Sequence, residues 1–253
     1  MDAAPRPHAP PASAGRGRHF LSPRIAADLV KRFDIRRDDL VVEIGAGSGR
    51  LTRELAHVAG LVLAIEVDDR LARRLVRATS SWSNVYVHGG DAETAAFPPT
   101  PFRTVGNIPF SISTAILRRV LEDPSAQRID LILQHEMARK RARPRGTVLS
   151  VLWHTTWHLE VRGHIPGSAF HPPPSVDAAW LTGTRRSTPL IAGGEMHSFE
   201  RFVRKGFAKA ELPIARSLGL RSSVIRRGGV QVDARAIDLD AKDWVAIFRA
   251  NRG

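Results

Sequence analysis

The stretch Leu40–Ala59, LVVEIGAGSGRLTRELAHVA, decides how the rest of the chain is read. It begins as an apolar run of strand length, breaks at Gly45, Gly47 and Gly49, and continues from Ser48 with apolar residues at helical spacing. That is a strand, a glycine turn and an amphipathic helix in succession. Glycines at such a turn let backbone N–H groups come close to a ligand at the helix N-terminus. A dinucleotide fingerprint, G-x-G-x-x-G, needs glycine or alanine where Arg50 stands, so a nicotinamide cofactor is disfavoured. No G-x-x-x-x-G-K-[ST] occurs either, which removes the P-loop. Alone, the loop reads equally well as a tight turn.

Outward from this unit the alternation continues. LVLAIEVD (61–68), NVYVHGGD (84–91), FRTVGN (102–107) and IDLILQ (129–134) read as strands, with WHLEVRGHI (157–165) and VDAAWLTGT (176–184) after them. IAADLVKRF (25–33), DRLARRLVRAT (69–79) and SISTAILRRVLED (111–123) read as helices. This order predicts an α/β domain with a mostly parallel sheet. TRRSTPLIAGG (184–194) reads as a linker, and FERFVRKGFAKA, PIARSLG and DAKDWVAIFRA beyond it show helical periodicity without strands. The expected domains are a Pro/Ala-rich flexible tail over 1–17, a catalytic domain over 18–187 and a small all-helical unit over 188–253.

Three strand ends carry chemistry at one sheet edge. Glu66 closes the second strand, 17 residues past Gly49, where a carboxylate accepts the hydroxyls of a ribose. Asp91 closes the third, placed to accept from an adenine amino group. Asn107 closes the fourth. Ligands of open α/β sheets sit outside the carboxyl ends of strands. A lone strand-end acid is commonly a solvated cap, but the series in chain order suggests S-adenosylmethionine, with its amino-acid part in the glycine loop.

Asn107-Ile108-Pro109-Phe110 then acquires a purpose. An exocyclic adenine amine is a poor nucleophile because its lone pair is delocalised into the ring. The side-chain oxygen of Asn107 and the carbonyl of Ile108 would grip the amine hydrogens. Pro109 fixes the turn, and Phe110 offers a stacking face to a flipped base. The competing reading makes Asn107 a helix cap and Phe110 a core residue.

The series RHFLS, EIGAGSGRLT, AIEVD, GGDA, GNIPFSIST and FHPPPSVD resembles the rRNA adenine N6-methyltransferases, over residues 16–253 or so. Asn-Ile-Pro-Phe, in place of the Asn-Leu-Pro-Tyr usual in the small-subunit dimethyladenosine transferases, resembles the erythromycin-resistance (Erm) branch, as does the short helical C-terminus. The resemblance implies a Rossmann-like S-adenosylmethionine-dependent fold and N6-methylation of an adenine in 23S rRNA, with macrolide-class resistance as the outcome. It implies that His19 and Leu21 line the methionine side of the cofactor site. Gly45, Glu66, Asp91 and Asn107 would be cofactor contacts, and Phe170 a second aromatic beside the target base or, alternatively, a core residue. Two departures stand out: Arg18 replaces the family's usual Gln, and Phe110 lacks the hydroxyl of the common Tyr.

Charge agrees with an RNA substrate. The chain carries +13 at pH 7, an excess that favours polyanionic partners. Its cations are 33 Arg and 5 Lys; arginine suits phosphates and bases, although a GC-rich genome gives the same bias. Arg139, Lys140, Arg141, Arg143 and Arg145 form one basic run after the fifth strand, expected to flank the site. Residues 199–229, with Arg204, Lys205 and Lys209, form another. Both read as phosphate contacts or as solvated surface. His154 and His158 are spaced as in a zincin, but Thr155 stands where that motif needs Glu, so no metal is expected. The absence of cysteine and of long apolar runs predicts a cytoplasmic protein without disulfides or a membrane span; a monomer is expected. The alternatives are a 16S dimethyladenosine transferase, a non-catalytic rRNA-binding factor, or a small-molecule methyltransferase.

Overall fold

The computed structural model describes residues 19–252. The tail expected over 1–17 and Arg18 of the RHFLS motif lie outside them. In chain order the elements are β1 (Phe20–Leu21), α1 (Pro23–Arg32), β2 (Leu40–Ile44), α2 (Arg50–Val58), β3 (Leu61–Glu66), α3 (Asp69–Ala78), β4 (Val85–Gly89), β5 (Phe102–Asn107), α4 (Ser113–Glu122) and β6 (Ala126–Gln134). They continue as α5 (His135–Ala142), α6 (Val148–Thr156), β7 (Trp157–Ile165), β8 (Phe170–His171), β9 (Ala178–Arg185), α7 (Met196–Phe207), α8 (Ile214–Leu218), α9 (Ser222–Arg227) and α10 (Ala241–Ala250).

Seven strands form one sheet in the order β4-β3-β2-β5-β6-β9-β7, and β1 pairs with β8 in a separate two-stranded sheet. The pairs β2–β3, β2–β5 and β3–β4 are parallel. Ile44 lies opposite Ile65 and Gly106, and Glu66 opposite Gly89. The carboxyl ends of four strands therefore lie level, as an open α/β sheet needs if it is to present them to one ligand.

Local chemistry sets the helix starts. Ser22 caps α1, its hydroxyl accepting from the Ile25 N–H at 3.4 Å, with Pro23 in the first turn. Asp68 caps α3 by accepting from the N–H groups of Arg70 and Leu71 at 2.9 and 3.0 Å. Asp240 and Asp243 form a reciprocal capping box at α10.

Residues separate into two compact units. The first comprises the described chain up to Ser125 with Asp130–Leu133 and Ile165–Ala178. Val41, Val42, Ile44, Leu55, Val62, Ile65 and Val105 are essentially solvent-free in its core, each worth about 1.5–3 kcal/mol relative to exposure. Arg103, at the amino end of β5, is also buried. It bonds the Asp34 carbonyl at 2.6 Å and pairs with Asp39 at 2.8 Å and Asp130 at 3.2 Å. These bonds anchor the strand whose far end carries Asn107.

The second unit comprises Ala126–Ile129, Gln134–His164 and Ala179 onward. Its core gathers Val151, Phe199, Val203, Ile214, Trp244, Ile247 and Phe248. Gly206 permits the α7–α10 approach, because a Cβ there would collide with Cη2 of Trp244.

Three helices and two short strands were not visible in the sequence pattern. Five of the nine residues of α6, VLSVLWHTT, are buried, and no polar stripe marks its period. The cations of HEMARKRA (α5) hide its periodicity, α9 spans six residues, and β1 and β8 two each.

Candidate active site

After β2 the backbone turns through three residues in the left-handed region, Gly45 (φ 71), Gly47 (φ 56) and Gly49 (φ 77). Gly47 is required twice, since a Cβ there would also stand 2.9 Å from Cε1 of Phe20. Gly49 starts α2. The N–H groups of Gly45 and Ala46 both donate to the Ile65 carbonyl, at 2.9 and 3.1 Å, holding the loop on β3.

Glu66 braces this loop. One carboxylate oxygen accepts from the Gly47 N–H at 2.7 Å and the other from the Asp68 N–H at 2.9 Å. Asp91, past the end of β4, accepts from the Glu93 N–H at 2.8 Å. Behind the loop, Glu43 of β2 is fully buried beside Glu66. Burial foremost, and then the neighbouring Glu66 charge, push its carboxyl up to about 7 despite the opposing influence of Thr52.

Above the strand ends lies a cavity lined among others by Gly45, Gly47, Glu66, Asp91, Asn107, Phe110 and Phe170. Its walls are mostly apolar with few polar groups, as a small-molecule site requires.

Asn107 faces this cavity in a defined orientation. Its side-chain nitrogen donates to the His19 carbonyl at 2.7 Å. A carbonyl only accepts, so the amide nitrogen must face His19 and the oxygen is the atom left for a ligand. The helix-cap alternative does not describe this residue: Ile112 occupies the cap position of α4, without a side-chain cap bond. Ile108 sends its N–H to the Ile132 carbonyl at 3.0 Å, which fixes the peptide after Asn107. The Pro109 carbonyl accepts from the Ile112 N–H and the Ser113 hydroxyl, each at 3.1 Å, closing the turn.

Aromatic rings complete the cavity wall. The Phe110 ring lies 6.5 Å from the His19 ring, tilted by 33°. His19 Nδ1 donates to the Pro172 carbonyl at 2.8 Å. Pairing of β1 with β8 sets Leu21 opposite Phe170 and Phe20 opposite His171. Leu21 is buried and absent from the cavity lining; Phe20 lines it instead. Gly49 also stands outside the lining. Sequence reasoning passed over Phe20, Val67 and Ala92. Val67 left a signal, as an apolar residue directly after a strand-end acid, and it is half exposed here while lining the cavity.

The basic residues divide by environment. Arg139, Lys140, Arg143 and Arg145 are exposed, whereas Arg141 is buried with its guanidinium 5.3 Å from the Trp153 ring centre. Arg204 pairs with Glu200 at 2.6 Å, Lys205 donates to the Leu218 carbonyl at 2.6 Å, and Lys209 is exposed.

The chain matches the family model described as ribosomal RNA adenine dimethylase over residues 16–250. It is 36% identical over 203 residues to an rRNA adenine N-6-methyltransferase of Corynebacterium diphtheriae, covering 80% of this chain and 76% of that one. It is 32% identical to the mycinamicin-resistance protein MyrB of Micromonospora griseorubida, covering 96% and 81%. The crystal structure of the 23S rRNA methyltransferase ErmE superposes with a TM-score of 0.82 at 31% identity, over 92% of this chain and 100% of that one.

Proposed function

The chain belongs to the ribosomal RNA adenine dimethylase family, and from that premise we propose that it methylates N6 of one adenine in large-subunit (23S) rRNA, conferring macrolide-class resistance. The observation that carries the reading is the Asn107 amide, whose nitrogen is spent on His19 and whose oxygen remains at the cavity over the strand ends. The names of the relatives, a mycinamicin-resistance protein and a 23S rRNA methyltransferase, support the choice of subunit and outcome.

The residues fit S-adenosylmethionine: the Gly47 cradle is one that a Cβ would fill, and acids stand at two neighbouring strand ends. When bound, this cofactor would supply a sulfonium methyl to an in-line nitrogen, the N–C bond forming as the C–S bond breaks, with S-adenosylhomocysteine as the leaving group. Glu66 would receive the ribose hydroxyls and Asp91 the adenine amine. The glycine loop, with His19 and Phe20 beside it, would hold the methionine end.

Asn107 Oδ1 and the Ile108 carbonyl accept the two hydrogens of the target amine and draw its lone pair out of the ring. Phe110 and Phe170 hold the extruded base between them. Catalysis is then largely alignment. Neither acceptor is a strong base, so the amine's surplus proton goes to water.

Exposed Arg139, Lys140, Arg143 and Arg145, with Arg204, Lys205 and Lys209 of the helical region from residue 188 onward, contact RNA phosphates. The test is transfer of labelled methyl to purified large- and small-subunit rRNA. Label in the large-subunit RNA is expected, and label in small-subunit RNA alone overturns the assignment.

A further inference from the structure

A second cleft adjoins the glycine loop. Gly47 lines the first cavity, and its neighbour Ser48 lines the second together with Pro23, Arg50, Arg53, Glu54 and Arg74. Three guanidinium groups thus share a cleft with one carboxylate. Among the described residues no ion pair engages Arg50, Arg53 or Arg74, and Arg53 and Arg74 are exposed. The Ser48 hydroxyl is shielded from solvent and has no hydrogen-bond partner. The cleft also holds the first turn of α2, which has no side-chain cap and no acid of its own. Donors therefore outnumber acceptors heavily, which is the composition of a phosphate site.

We propose that this cleft binds a backbone phosphate of the RNA strand that carries the target adenine. The inference rests on the rRNA reading above and extends it to residues outside both basic runs. A strand, rather than a free anion, is indicated by what surrounds the cleft. Arg70, Arg73 and Arg77 are exposed on the same helix as Arg74, and among the described residues the ion pair on these three is that of Arg73 with Asp69 at 3.8 Å. Positive charge therefore extends past the cleft along α3. Because the cleft and the catalytic cavity meet at adjacent residues of one loop, a nucleotide extruded into the cavity brings its flanking phosphodiesters toward these arginines.

The test uses the full chain and a large-subunit rRNA fragment that the wild-type protein methylates. RNA affinity is measured by fluorescence anisotropy across a potassium chloride series, for wild type and for Arg50→Gln/Arg53→Gln/Arg74→Gln. Loss of one or two phosphate contacts is expected to flatten the slope of log Kd against log salt by about 1 and to weaken low-salt binding about tenfold. Calorimetry with S-adenosylmethionine should give an unchanged Kd. Glu54→Gln, which removes the one carboxylate, should tighten RNA binding about twofold. A wild-type salt slope in the triple variant overturns the inference while leaving the methyltransferase reading intact. So does weakened cofactor binding in the triple variant, which would assign the cleft to the cofactor. A wild-type protein for which no large-subunit rRNA fragment is bound or methylated overturns both.

Discussion

The side-chain nitrogen of Asn107 donates a 2.7 Å hydrogen bond to the main-chain carbonyl of His19, a partner 88 residues earlier in the chain. The bond fixes which amide atom remains for the substrate. Asn107→Asp keeps the shape but sets a carboxylate oxygen against that carbonyl. Turnover should fall by at least about 10²-fold, the scale of losing one preorganised polar contact in a transition state. RNA affinity should stay within a few fold of wild type. Single-turnover methyl transfer and RNA anisotropy, measured side by side, check this; equal losses in both would mean the residue acts in folding rather than catalysis.

Glu66 accepts from two backbone N–H groups while lining the cavity. Glu66→Gln turns one of those acceptors into a donor. Cofactor affinity should drop roughly 10- to 100-fold, matching about 1.5–3 kcal/mol for a hydrogen bond to a charged group. Calorimetric titration with S-adenosylmethionine reads it directly, and a wild-type Kd would refute the assigned role.

Gly47→Ala combines a positive φ with a Cβ 2.9 Å from the Phe20 ring. The loop must shift, so cofactor binding should be lost and stability should fall by about 1–3 kcal/mol. Gly194→Ala, where a Cβ meets open space and φ is not positive, serves as the control and should be neutral.

Glu43 gives a pH dependence of known sign. Its carboxyl rises from 4.5 to about 7 on folding, with burial the main cause. The folded chain therefore holds this proton more tightly than the unfolded chain. The stabilising contribution is complete below the unfolded value and is lost as pH rises through about 7. Glu43→Gln removes the charge that must otherwise be buried. Its stability should match wild type near pH 4 and exceed it in alkaline solution, by something of order 3 kcal/mol when titration is complete. Denaturation midpoints across that range check it, and a constant difference between the two proteins would contradict it.

Arg141 and Arg143 stand two residues apart and should behave differently. Arg141 is buried over Trp153, and its carbonyl accepts from His154 Nε2 at 3.0 Å. Arg143 is exposed. Arg141→Ala should lower the melting temperature. Arg143→Ala should leave it unchanged and weaken RNA binding at low salt only.

Much of this was legible in the sequence, for physical reasons. Strands β2 to β6 announce themselves as apolar runs, and Glu66, Asp91 and Asn107 stand out because a polar residue at the carboxyl end of such a run has little other purpose. What the pattern hides is contact between distant segments. The His19–Asn107 bond leaves no periodic trace, and neither does the Arg103–Asp130 pair inside the sheet. Pairing of Phe20–Leu21 with Phe170–His171 was hidden as well, although it decides that Phe20 rather than Leu21 lines the cavity. A basic run likewise reads as uniformly exposed until a Trp153 one helix later draws Arg141 under cover.

The most direct measurement of the central claim is nucleoside mass spectrometry of a large-subunit rRNA fragment after incubation with the protein and labelled S-adenosylmethionine. The account expects the label on N6 of adenosine, abolished by Asn107→Ala while cofactor and RNA still bind. Label on a ring nitrogen, a carbon or a ribose hydroxyl would contradict it, as would full N6 methylation by the Asn107→Ala variant.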